Sequence, residues 1–373
     1  MRVLHVIADL GSYGAERFLA LLVKHLRDPD VESAVMTIYS TPGGAPEIGV
    51  PVFDVARRGR FDGTFLPRMI GLMRGWRPDI VHTHMHNGKY WGRIAALAAR
   101  VPTLVHTEHN SEFGAPGVFR LVNRALVART DAVVAFSHTH GSALAADERI
   151  PPERIVVIPN GIDLAALGGG DREGARAALG AREGEQILLH VGRLSPVKNQ
   201  RLAIEAMPLL PPATRLVLAG DGVDRAALEA LARERGVAER VTLLGYRADA
   251  AALTAGADVA LTTSLNEAMP LVVIEAMVAG VPLVSVPWRG AREMLGEGAF
   301  GTLADDYTPP ALARAVLSVL ADPADAAERA ARAQAFAREE FDIATTARRY
   351  AALYRELSAR TRSASRLITT ARS

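Results

Sequence analysis

Two cations sharing one loop, and two carboxylates bracketing the start of a helix, are the residues whose types and spacing point most directly to chemistry. Arg193 and Lys198 lie in Gly192-Arg193-Leu194-Ser195-Pro196-Val197-Lys198-Asn199, directly after the apolar run 187–191. At the carboxyl edge of a strand such a loop suits a diphosphate: the planar guanidinium engages two oxygens at once and the ammonium acts as a point charge. A solvated loop with two ordinary surface charges accounts for them as well. Further on, Leu218-Ala219-Gly220-Asp221-Gly222 reads as a tight glycine turn from strand to helix, a shape that serves either ligand contact or backbone geometry alone.

The carboxylates belong to Asn266-Glu267-Ala268-Met269-Pro270-Leu271-Val272-Val273-Ile274-Glu275-Ala276-Met277. Pro270 suits the first turn of a helix, where a missing N–H costs nothing. The amides of Met269, Leu271 and Val272 are then expected to face outward at the positive end of the helix dipole. Such a start favours an anion by about 0.3–1 kcal/mol per charge when exposed and up to about 2 when partly buried. Carboxylates beside an anion need another purpose, and hydroxyl donors supply it: one accepts from a sugar, the other from a ribose diol. As plain structure, Glu267 would be a helix-dipole partner and Glu275 a surface residue. Glu275, however, sits among Val273, Ile274, Ala276 and Met277, poor company for a surface carboxylate.

Histidines make a second constellation. Five of the ten, His82, His84, His86, His106 and His109, fall at two neighbouring strand ends. In Val81-His82-Thr83-His84-Met85-His86 an extended chain puts all three histidines on one face, and two or three imidazoles can hold Zn²⁺ or another transition metal. His82, His84, His86 and His109 would then serve a metal-dependent hydrolase. Against that reading, no third strand offers a carboxylate in a matching position, and the C-terminal motifs are left unused. Buried, hydrogen-bonded histidines shaping a cleft wall are the plain alternative for His82 and His106. Asp28-Pro29-Asp30 reads as a turn, so no metal is expected.

These residues need elements to position them. Short apolar runs at 3–7, 34–38, 80–84, 103–107, 132–136 and 155–158 read as buried strands, with amphipathic helical patterns at 15–26, 89–99 and 119–128 between several of them. Strand–helix alternation implies right-handed crossovers and a parallel sheet covered on both faces. The pattern breaks after Pro159-Asn160-Gly161-Ile162-Asp163, where Gly168-Gly169-Gly170 and the stretch to Gly184 read as a connection. A second series follows at 187–191, 216–219, 241–244, 259–262 and 283–286, and helices from about Pro309 close the chain, the last amphipathic near 343–357. Ligands of open α/β sheets collect outside the carboxyl ends of the strands, which is where the residues above fall.

A length of 373 residues suggests two domains, and 49% hydrophobic with 23% charged residues is ordinary for a soluble protein. Lys+Arg at 43 against Asp+Glu at 41 is too even to argue for nucleic acid. The absence of cysteine excludes disulfides, thiolate metal sites and a thiol nucleophile, and fits the cytoplasm. MRVLHVIADL lacks the plan of a signal peptide, and the other apolar runs are too short to span a bilayer. Gly11-Ser12-Tyr13-Gly14 is not the three-glycine dinucleotide fingerprint, which argues against a dehydrogenase.

Taken in order, these motifs resemble the retaining glycosyltransferases of family 4, the group 1 glycosyltransferases. Glu267-x7-Glu275 followed by Ala276-Met277-x-Ala279-Gly280-x-Pro282 carries the resemblance most specifically. Gly192-Arg193-Leu194 with Lys198-Asn199, the Pro159–Asp163 connection, Gly220-Asp221-Gly222 and the opening Leu10-Gly11-Ser12-Tyr13-Gly14-Ala15-Glu16-Arg17 support it to roughly residue 355. Two departures stand out: Tyr13 replaces a second glycine, and Ala268-Met269 replaces the commoner glycine-aromatic pair. The resemblance implies an α/β GT-B fold, two Rossmann-like doubly wound parallel-sheet domains facing a cleft. Residues 1–165 would be the acceptor side, 166–340 the nucleotide-sugar domain, and 341–373 a helix packing back toward the N-terminal domain plus a basic tail.

The resemblance also implies roles. Arg193 and Lys198 would neutralise the donor diphosphate, Glu275 would hold the ribose and Glu267 the transferred sugar. Gly11, Gly14, Gly220, Met269, Pro270, Leu271 and Val272 would complete the donor site, and His109 would face the donor sugar. Glu16, His84 and Asn110 would lie on the acceptor side, though dipole stabilisation alone explains Glu16. No residue stands out as a covalent nucleophile and no cofactor is implied; the donor is a UDP- or GDP-linked sugar. The acceptor would be a glycan or a lipid-linked molecule, in cell-surface polysaccharide or glycolipid synthesis. A non-catalytic sugar-nucleotide-binding protein is the alternative within the same resemblance. The tail carries Arg355, Arg360, Arg362, Arg366 and Arg372 against Glu356: either disordered or an attraction to an anionic inner membrane face, at roughly 1 kcal/mol per basic residue.

Overall fold

A computed structural model of the chain describes residues 1–11, 14–41, 43–59, 61–109, 118–165, 167 and 171–370, with backbone alone at 118–120 and 364–370. It forms two compact units, one of Met1–Gly161 together with the segment from Ile343 onward, the other Ile162–Asp342.

The first unit is built on a seven-stranded parallel sheet. Its strands are β1 (Arg2–Ile7), β2 (Glu32–Thr37), β3 (Val52–Asp54), β4 (Ile80–His84), β5 (Thr103–Thr107), β6 (Ala132–Ala135) and β7 (Ile155–Val157), in the order β3-β2-β1-β4-β5-β6-β7. β1, β4, β5 and β6 are buried almost throughout, as expected of strands covered on both faces. The order reverses between β1 and β4, so the loops after these two strands diverge and leave a crevice at their carboxyl ends.

The second unit carries a six-stranded parallel sheet of β8 (Gln186–Val191), β9 (Thr214–Ala219), β10 (Val241–Gly245), β11 (Val259–Thr262), β12 (Leu283–Ser285) and β13 (Thr302–Leu303), in the order β10-β9-β8-β11-β12-β13. Its switch point lies between β8 and β11, whose following loops hold Arg193 and Glu267. The edge strands β3 and β13 escape the hydrophobic pattern because they are short and half exposed.

The last helix, Ile343–Thr370, belongs to the first unit. Ile343, Tyr350, Tyr354 and Leu357 enter the core beside Phe18 and Leu22 of the helix Gly14–His25 and Leu26 just after it. Gly161 is the entry point for this packing: a Cβ there would lie 2.7 Å from both Ile343 Cα and Thr346 Oγ1. The helix runs on through Arg360 and Arg362, where the basic tail was expected to be either disordered or membrane-attracted. Among the described residues no helix is long and apolar enough to cross a membrane.

Candidate functional site

In the second unit the loop after β8 is held by the turn after β9. The Leu194 N–H donates to the Asp221 carbonyl at 3.0 Å, and Gly192 N–H to Ala219 at 2.9 Å. Gly220 has φ 151°, and a Cβ there would lie 1.9 Å from the Gly192 carbonyl oxygen; at Gly222 it would lie 2.2 Å from that of Leu194. No side chain fits either contact, so these glycines are required by the close approach of two backbones. Gln200 Nε2 donates to the Arg193 carbonyl at 2.9 Å, fixing the backbone while the Arg193 side chain remains exposed.

Lys198 ends a short turn, with Asn199 in the left-handed conformation at φ 50°. Its ammonium is paired with the Glu267 carboxylate. The pair joins the loops after β8 and β11, and puts a phosphate-seeking cation beside a hydroxyl-seeking carboxylate. Thr263 reinforces the junction: its hydroxyl donates to the Lys198 carbonyl at 2.9 Å and lies 3.2 Å from His190 Nε2. Burial and the Lys198 charge hold His190 down at about 4, so the imidazole is neutral beneath the loop. His190 and Thr263 are supports that the sequence reading missed, since one sits inside an apolar strand and the other looks like an ordinary strand-end threonine.

The helix after β11 spans Leu271–Ala279, and Pro270 is its N-cap residue, with ψ 124°. This corrects the expected placement of Pro270 in the first turn. The first helical amides are those of Leu271 and Val272, while Met269 lies before the cap. The proline's fixed φ suits both positions, which is why spacing alone misplaced the start. The helix ends at Gly280 (φ 68°), and the Val281 N–H reaches the Ala276 carbonyl at 3.1 Å, a left-handed cap followed by Pro282. Glu275 is 4% exposed and is therefore no surface carboxylate.

In the first unit the histidines form connected pairs. His82 Nδ1 lies 2.6 Å from the Tyr354 hydroxyl and Nε2 2.7 Å from Thr107 Oγ1. His5 Nδ1 contacts His84 Nε2 at 3.1 Å, and His84 Nδ1 contacts His109 Nε2 at 3.1 Å. His86 does not join them. β4 ends at His84, Met85 turns the chain with φ 56°, and the exposed His86 packs on the Tyr90 ring instead. The expectation of three histidines on one extended face is corrected by that turn, and with it the metal reading that used His86. His5, His82 and His84 each present one nitrogen within 4.8 Å of the others; both His82 nitrogens face Tyr354 and Thr107, and the His84 nitrogens face His5 and His109. His106 accepts or donates within the sheet through Nδ1, 3.0 Å from Thr83 Oγ1.

Beside them lies a buried charge cluster that the sequence reading did not single out. Lys89 pairs with Glu108 at 2.9 Å and with Glu148, and Arg93 Nη2 donates to Asn123 at 2.7 Å. Burial works against both charges, yet the Lys89 pairing pulls Glu108 well below the usual carboxylate range and its partners raise Lys89. Of the residues expected at the first loop, Gly11 donates its N–H to Asp9 Oδ1 at 2.9 Å. Gly14 opens the helix Gly14–His25, and Glu16 is buried in its first turn. Asn110 lies outside the described residues, as does Tyr13.

Comparison with known proteins places this geometry. The chain aligns with HepE of Anabaena, solved in complexes with UDP and with UDP-glucose, at 25% identity and a TM-score of 0.82, covering 95% of this chain and all of that one. Sucrose-phosphate synthase of Thermosynechococcus elongatus superposes with a TM-score of 0.82 at 21% identity, over 96% of this chain and 99% of that one. Two doubly wound parallel sheets of this kind define the GT-B class. Residues 171–339 match the family described as glycosyl transferases group 1, and residues 13–166 that described as glycosyltransferase family 4; the chain belongs to the family 4, group 1 glycosyltransferases. A D-inositol 3-phosphate glycosyltransferase of Segniliparus rotundus is 31% identical over 66% of this chain and 60% of its own length. The matched region thus spans less than two thirds of that relative.

Proposed function

We propose that the chain transfers a glycosyl group, with retention, from a UDP- or GDP-linked sugar to a hydroxyl of a glycan or lipid-linked acceptor. The observation that carries this reading is the switch point of the second unit. There Arg193, Lys198 and the start of the helix Leu271–Ala279 supply positive charge, and two carboxylates, Glu267 and the buried Glu275, stand ready for hydroxyls. The bond from the anomeric carbon to the phosphate oxygen breaks with its electrons passing to the diphosphate, and the acceptor oxygen forms the new bond on the same face. The acceptor proton goes to the departing phosphate. Arg193, Lys198 and the amides of Leu271 and Val272 are pre-aimed at the charge that develops, the kind of interaction that contributes most to many enzymes.

Glu275 holds the ribose diol and Glu267 the transferred sugar, sharing Lys198 with the diphosphate. Gly11, Gly14 and Gly220 give backbone access, and His109 orients the sugar. Asn110 and Glu16 are assigned to the acceptor, whereas His84, fully buried with both nitrogens on His5 and His109, reaches the substrate only through His109. The reaction needs no metal or other cofactor in this reading, and the enzyme works in the cytoplasm, at the inner membrane face when the acceptor is lipid-linked, in cell-surface polysaccharide or glycolipid synthesis. The UDP-sugar complexes of HepE favour a UDP-linked donor. Calorimetric titration of metal-stripped protein with UDP, GDP and ADP tests this. Micromolar binding of one, lost in Arg193→Ala or Glu275→Ala, is expected. No binding of any, with activity recovered on adding zinc, would overturn it.

A further inference from the structure

His5 and His84 stand behind His109 in a line of imidazoles, and the end of that line is informative. His5 is fully buried, and its Nε2 has no hydrogen-bond partner among the described residues. From there the contacts run His5 Nδ1 to His84 Nε2 and His84 Nδ1 to His109 Nε2, each 3.1 Å. His84 is also fully buried, whereas His109 is partly exposed and lies between the Phe18 and Phe136 rings, at 5.9 and 5.2 Å between centroids.

A neutral imidazole carries one proton, and each nitrogen pair in the line needs one proton and one lone pair. Only two arrangements satisfy both contacts. If the protons point inward, from His109 to His5, then His5 Nε2–H is a buried donor with no acceptor. If they point outward, His5 Nε2 is a bare lone pair. A stranded N–H is the rarer and costlier of the two. We propose that His5 and His84 are positioning residues that lock His109 as the Nδ1–H tautomer, its Nε2 held as the acceptor from His84.

The inference rests on the transferase reading only for what His109 does next: an Nδ1–H is a fixed donor toward a sugar oxygen. The same line explains why a histidine pair is kept in the core, where an apolar pair would pack with fewer demands. Burial holds His5 and His109 at about 3 and His84 well below its ordinary value, which keeps all three neutral, as the one-proton count requires. Glu108, the residue before His109, pairs with Lys89, and its charge opposes the effect of burial on His109 without overcoming it.

The test is long-range ¹⁵N–¹H correlation of the imidazoles in the full chain labelled with ¹⁵N-histidine, assigned by single substitutions. The expected spectrum has His5, His84 and His109 each protonated at Nδ1. His84→Phe should leave His109 exchanging between tautomers and lower kcat with little change in donor KM. His84→Asn, whose amide reaches the place of Nδ1 and donates, should restore the single Nδ1–H form. An Nε2–H form of His109 in the unmutated protein overturns the proposal, and that spectrum decides even when His84→Phe fails to fold. The same is true of a His109 tautomer indifferent to His84→Phe. Transfer activity with His109 protonated at Nε2 overturns the relay and leaves the transferase standing. A locked Nδ1–H in a protein that binds no nucleoside diphosphate upholds the relay and fells the transferase.

Discussion

The backbone at Arg193 is fixed by Gln200, which donates to the Arg193 carbonyl, and by the Leu194 N–H on the Asp221 carbonyl, and neither bond uses the guanidinium. Arg193→Ala should lower kcat/KM by about a hundredfold or more, the scale of a lost transition-state contact. Steady-state kinetics with the donor identified by calorimetry check this, and near-normal turnover would take Arg193 out of the site. Gly220→Ala is the complementary case. Its Cβ would sit 1.9 Å from the Gly192 oxygen at φ 151°, so the β8 loop must move. Nucleotide affinity is expected to drop tenfold or more, accompanied by a stability loss on the order of 1–3 kcal/mol. Wild-type affinity in this variant would show that the loop's position does not matter to binding.

At the scale of elements, the helix Ile343–Thr370 is part of the first unit's core, tied to it by the Tyr354 hydroxyl on His82. Tyr354→Phe keeps the ring and strands the fully buried His82 Nδ1, a loss of about 1–3 kcal/mol, and so a fall of several degrees in melting temperature. His82→Phe in the same background should recover part of it, because no imidazole nitrogen is then stranded, although the Thr107 hydroxyl keeps only the Tyr350 hydroxyl, at 3.4 Å; calorimetry of the single and double variants measures the difference. If the single change costs nothing, the hydroxyl is not holding the histidine. Removing residues 343–373 altogether exposes Phe18, Leu22 and Leu26, and the shortened protein is expected to aggregate rather than fold.

At the scale of the whole molecule, the buried neutral histidines set the response to acid. His5 and His109 are lowered to about 3 and His190 to about 4, and burial lowers His82, His84 and His106 too. Unfolded histidine titrates near 6.5. Below that pH the unfolded chain binds protons that the fold refuses, so stability falls as pH drops, by roughly 1.4 kcal/mol per pH unit for each fully titrating group. Glu108, lowered in the fold by Lys89 once burial is overcome, contributes stability that is lost only below about pH 4.3. Urea melts at pH 7.5 and 5.0 should therefore already differ, and the first unit, which holds five of these six histidines, should fail first. Trp76 and Trp91 report on that unit and Trp288 on the other, so tryptophan fluorescence of single Trp→Phe variants separates them. Equal stability at the two pH values would contradict the burial of neutral histidines.

The alternation of strand and helix, and the loops that carry Arg193, Lys198 and Gly220, were legible in the residues alone, because buried parallel strands are apolar runs and the turns between them need glycine at positions set by backbone contact. The residue pattern also marked Glu275 as out of place on a surface. Only the tertiary structure decided which residues meet. Lys198 and Glu267 pair across two loops 69 residues apart in sequence, and His5 meets His84 only because β1 and β4 lie side by side at the switch point. The turn at Met85 moved His86 away from the other histidines, since the end of a strand is set by what packs against it and not by the residues it contains. Lys89, within the helical pattern 89–99, and Glu108, just past a strand, meet as a buried pair for the same reason: local pattern records which way a side chain faces, and only the assembled sheet and helices determine what it faces.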